Sequence, residues 1–101
     1  MDSVKFKILE IILQNRQYDF ETIQSALVNS FPEMSKLDIQ DCIDTLGLEG
    51  YLKTAYADGK LLDILVLPSA SVNLRTFKET VKDKKLQRFI DRLLALLKVS
   101  L

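Results

Sequence analysis

SKLDIQDCIDTLGLEGYLKTAYADGKLLDILVL, residues 35 to 67, is the stretch on which the reading of the fold turns. Ser35 is placed to cap a helix, and Asp38 stands three residues on, where a capping-box acid reaches back. Ile39, Cys42, Ile43 and Leu46 then recur at i, i+3, i+4 and i+7, which puts one apolar face, Cys42 included, toward a core. Gly47 and Gly50 weaken the last turn and offer the left-handed residue that ends it. Two strand-like runs follow, YLKTAYA and KLLDILVLP, folded back at Asp58-Gly59, a dipeptide suited to a two-residue hairpin turn. Leu52, Thr54 and Tyr56 alternate with Tyr51, Lys53 and Ala55. Leu62, Ile64 and Val66 alternate with Leu61, Asp63, Leu65 and Leu67. The second strand is apolar on both faces, so the C-terminal segment is expected to cover it.

Upstream, Val4, Ile8, Ile11 and Ile12, flanked by Phe6, Leu9 and Leu13, predict a helix from Asp2 to about Gln14, ended by Asn15 and Arg16. Gln17 and Tyr18 leave room for a turn or a short strand. Asp19 then caps a second helix whose buried stripe is Phe20, Ile23, Leu27 and Phe31, and Pro32 stops it for want of an amide proton. Downstream, Pro68-Ser69-Ala70-Ser71 reads as a connector, with a helical piece from Asn73 to Val81. A last helix carries Leu86, Phe89, Ile90, Leu93, Leu94 and Leu97 on one stripe, widened by Leu96 and Val99. The expected organisation is a core over residues 1–68 and a C-terminal helical extension over 69–101 that packs on it. The class is mainly α with a small β-hairpin.

Composition closes several routes. The chain has 101 residues, enough for one domain that buries roughly 60–65% of its unfolded surface. One cysteine and no histidine exclude an internal disulfide and a cysteine or histidine metal cluster, and remove the commonest general base. Neither a cofactor nor a metal is expected. The lone cysteine suits a reducing cytoplasm, and no apolar run is long enough to span a bilayer, so a cytoplasmic protein that does not enter membranes is expected. Net charge is zero, yet residues 1–50 carry four basic and nine acidic side chains, net −5, and residues 51–101 carry ten and five, net +5. Such a dipolar chain orients a charged partner or pairs its own ends.

Three helices, the last ending in Leu48-Glu49-Gly50-Tyr51-Leu52 and passing into a hairpin with Asp58-Gly59 at its tip, resemble winged helix-turn-helix domains. The resemblance covers residues 2–68. With its acidic third helix and appended C-terminal helix, the chain is also loosely similar to the YjcQ-like winged-helix proteins of bacteria and their phages. The winged-helix resemblance implies DNA binding, with the third helix in the major groove and the hairpin against the phosphates. Lys36, Gln40, Lys53 and Lys60 are then the candidate contacts.

Charge opposes that use. From Ser35 to Glu49 there is one cation, Lys36, against Asp38, Asp41, Asp44 and Glu49, and each carboxylate brought close to a phosphate costs on the order of 1 kcal/mol in a screened medium. Asp38, Asp41 and Asp44 step by three along the helix and are read as a solvated face or a protein-interaction surface; a divalent site would need further ligands that the sequence does not supply. Ser69 and Ser71 have no histidine to activate them, and the glycines form no phosphate loop. No catalytic residue is assigned. The C-terminal helix sets Lys82, Lys84, Lys85, Arg88, Arg92 and Lys98 opposite its leucines, and Phe89, Leu93 and Leu97 are expected at a homodimer contact. The leading expectation is a non-enzymatic regulatory or accessory protein that binds macromolecules, chiefly protein. The second is a DNA-binding transcriptional regulator.

Overall fold

The computed structural model describes residues 2–98; Val99, expected to widen the last leucine stripe, lies outside them. The elements in order are α1 (Asp2–Gln14), α2 (Phe20–Ser30), α3 (Lys36–Leu48), β1 (Leu52–Ala57), β2 (Lys60–Val66), α4 (Ala70–Thr80) and α5 (Lys84–Lys98). The chain is therefore mainly helical, with one antiparallel hairpin.

Helix α1 is the centre. Phe6, Ile8, Leu9, Ile12 and Leu13 are all buried, a wider arc than one stripe allows, because α2, α3 and α5 pack around it. The caps follow the sequence. The Asp19 carboxylate accepts from the Thr22 amide at 2.9 Å and the Ser35 hydroxyl from the Asp38 amide at 3.1 Å, each satisfying an amide that the first helical turn leaves unpaired. Phe31, expected on the stripe of α2, is instead its C-terminal cap residue and stays half-buried.

At the end of α3, Gly50 takes φ +84°, a conformation that costs a side chain dearly. The chain turns there and delivers Tyr51 and Leu52 into the core. The Phe6 and Tyr51 rings meet edge to face at 5.7 Å. The hairpin turns on Asp58 (φ 52°) and Gly59 (φ 76°), the two positive values of a type I′ turn, whose twist matches that of the strands.

Regular alternation breaks once. Ala55 stands opposite Asp63 but Tyr56 opposite Leu61, so Leu62 is an extra, unpaired residue, a β-bulge. The bulge draws Leu61 in toward α2 and α3, where it packs against the core, and leaves Leu62 exposed. Strict alternation had assigned these two leucines to opposite faces from those observed.

Helix α4 begins at Ala70, three residues earlier than expected. It clamps the α3–β1 junction: Ser69 Oγ donates to the Gly50 carbonyl at 2.8 Å and Asn73 Nδ2 to the Glu49 carbonyl at 3.0 Å. Ala70 and Leu74 enter the same core as Ile90 and Leu93 of α5. Helix α5 packs on α1 and α4, so the outward face of β2 keeps Leu65 61% exposed. The expected cover is missing because the apolar stripe of α5 is spent on α1.

Candidate functional site

Three of the four candidate DNA contacts converge. Lys36 and Gln40 from the first turns of α3 and Lys60 from the hairpin tip line a groove of about 270 Å³ between α2, α3 and β2. Its apolar lining includes Phe20, Leu27, Val28, Ile39 and Leu61. Leu61, brought to the inner side of the hairpin by the bulge, lines this groove next to Lys60. Lys53 lies elsewhere, on the opposite face of the hairpin, in a hollow shared with Leu48, Leu52, Thr54 and Leu67.

Asp38 and Asp41 are exposed. Asp44 is half-buried and accepts a hydrogen bond from the Tyr56 hydroxyl, which ties β1 to α3. Burial, that hydrogen bond and the charges of Asp44 and Asp41 push the Tyr56 phenol up to about 12. Among the described residues no group of three or more acidic, cysteine or histidine side chains is placed to hold a metal ion. Cys42 is half-buried; burial raises its thiol pKa and the charges of Asp41 and Asp38 raise it further, opposite to what a reactive thiolate requires.

On α5 the three expected contact residues separate. Leu93 is fully buried within the chain and is closed to any partner. Phe89 and Leu97 are half-buried. The Arg92 guanidinium lies 4.9 Å over the Phe89 ring and Arg92 Nε pairs with Glu10 Oε2 at 3.1 Å. Part of the basic face is thus engaged within the chain while staying exposed: Arg92 holds α5 to α1, and Lys78 of α4 holds Asp91 of α5 at 2.6 Å. Lys82, Lys84, Lys85, Arg88 and Lys98 remain exposed.

Two features escaped the sequence reading. Lys5, apparently an ordinary surface charge, is 9% exposed, with Nζ 2.7 Å from Glu49 Oε1 and 5.2 Å from the Phe6 ring centroid. It binds α1 to Glu49, the C-terminal cap of α3, at the junction that α4 clamps. The second is a groove of about 440 Å³ between β2 and the last turns of α5, where Arg16, Arg75 and Lys98 surround Ile12, Ile64, Val66 and Leu94, and among the described residues no carboxylate lines it. Arg16 Nη2 donates to the Leu96 carbonyl at 2.6 Å, and burial depresses its pKa. Its three cations come from the turn after α1, from α4 and from α5, so no local pattern announces them.

No described helix is long and apolar enough to cross a membrane. No family model matches the chain, and no curated protein or solved structure matches it either.

Proposed function

We propose that the chain is a winged-helix regulatory or accessory protein without enzymatic activity, working by binding another protein through the outward face of α3. One observation carries this reading. The face that a recognition helix would turn to DNA has Lys36 as its single cation, against exposed Asp38 and Asp41 and half-buried Asp44. Leu37 stands beside them 71% exposed. Acids around an exposed leucine oppose a phosphate backbone and suit a basic, partly apolar protein surface.

The convergence of Lys36, Gln40 and Lys60 in one groove supports a second reading, a DNA-binding regulator with the hairpin as wing and the exposed cations of α5 adding phosphate contacts. Mobility shift on duplex DNA separates the two. Under the DNA reading affinity appears at low salt and falls steeply as salt rises; absence of binding at about 50 mM salt removes it. Under the protein reading, a partner captured by the wild-type chain is lost from a folded Asp38→Lys, Asp41→Lys variant. Undiminished capture by that variant overturns the assignment to α3.

A further inference from the structure

We propose that the outward face of the hairpin, extended by Leu48, is where two copies of this chain pair. The structure leaves this face uncovered. Lys53 and Ala55 of β1 and Asp63 and Leu65 of β2 share it, all exposed, while Leu52, Thr54, Ile64 and Val66 turn the other way into the chain. Leu65 is 61% exposed directly opposite Lys53. Leu48, 90% exposed at the end of α3, shares with Lys53 and half-buried Leu67 a hollow at the margin of this face, beside β1, that Leu52 and Thr54 also line. Asp44 edges the same hollow, with its carboxylate engaged by the Tyr56 hydroxyl.

The charges identify the occupant. Lys53 and Asp63 sit diagonally across the two strands, flanking Ala55 and Leu65, and no ion pair joins them. A partner surface of one sign would attract one of them and repel the other. A second copy, turned about a two-fold axis lying between the two faces, brings the Lys53 of each chain against the Asp63 of the other and sets Leu65 between them, with Leu48 at the margin beside Lys53. That is the isologous arrangement of a closed dimer. The face is small, built on strands of six and seven residues, so pairing is expected with a dissociation constant in the range of roughly 10–100 µM.

Sedimentation equilibrium from roughly 5 to 500 µM tests this on the whole chain. The wild type should pass from monomer to dimer, and remaining monomeric throughout would overturn the proposal. Lys53→Asp and Asp63→Lys should each weaken pairing about tenfold or more, since each turns two attractions into repulsions. An equimolar mixture of the two variants should recover it, because one then presents two acids and the other two cations. A mixture that stays monomeric, or single variants that dimerise as well as wild type, would overturn the proposal. Asp63 Oδ1 also accepts from the Ile64 amide at 2.8 Å, so Ala55→Arg serves as an independent block, its effect read beside a circular-dichroism check of the fold. A dimer indifferent to Ala55→Arg but lost on Phe89→Ser would place the contact on α5 and reject the hairpin.

Discussion

Gly50→Ala should be among the most damaging single-methyl additions to this protein. The residue sits at φ +84°, and a Cβ built there lies 2.6 Å from Asn73 Nδ2. Holding a side-chain residue at positive φ costs about 1–2 kcal/mol. The methyl must also displace the Asn73 amide, which donates to the Glu49 carbonyl at 3.0 Å, and losing that bond adds about 1 kcal/mol. The expected loss is about 2–3 kcal/mol, or a fall in Tm of roughly 10–20 °C for a domain of this size. Urea unfolding followed by circular dichroism reads it, with the slope unchanged. The steric part can be isolated: Asn73→Ala removes the hydrogen bond but makes room, so the double variant should be little worse than Gly50→Ala alone, a coupling of about 1 kcal/mol. A loss below about 0.5 kcal/mol for Gly50→Ala, or full additivity with Asn73→Ala, would refute this account of the junction.

Two further outcomes follow from burial. Leu93→Ala should cost about 2–5 kcal/mol and half-buried Leu97→Ala markedly less, as measured by denaturant midpoints; equal costs would contradict the docking of α5 on α1. The Tyr56 phenol, ordinarily at 10, titrates near 12 in the folded chain. The unfolded chain therefore loses that proton first as pH rises, and stability present below pH 10 should drain away up to about pH 12, with Asp44→Asn lowering the folded titration seen in near-ultraviolet absorbance.

The elements most legible in the sequence are those whose signals are local. Apolar spacing in α1, the capping residues Asp19 and Ser35, and the Asp58-Gly59 turn each depend on a few neighbouring residues, and each has its expected place. What the sequence did not show is set by distant partners. Ser69 and Ser71 look like a connector, yet α4 starts among them because Ser69 and Asn73 find the carbonyls of Gly50 and Glu49, 19 and 24 residues away. The bulge at Leu62 answers a space between α2 and α3 that only the folded core defines. The stripe on α5 was legible as apolar but silent on what it covers: Phe89, Leu93 and Leu97 look alike in sequence, and only packing on α1 separates the buried one from the others. Among the polar and charged residues, Lys36, Gln40 and Lys60 could be named in advance, whereas buried Lys5 and the trio Arg16, Arg75 and Lys98 could not.

The packing of the first helix against the last also governs how the protein is made. Arg16 reaches the Leu96 carbonyl across 80 positions and Glu10 meets Arg92 across 82. A ribosome therefore releases the helix with the most buried apolar residues long before it releases the segment that shields it. Throughout that interval Ile8, Leu9 and Ile12 lack the cover they will finally share with Ile90 and Leu93, and the nascent chain is exposed to aggregation. Synthesis speed and chaperone supply, rather than final stability alone, should then set how much of this protein a cell accumulates.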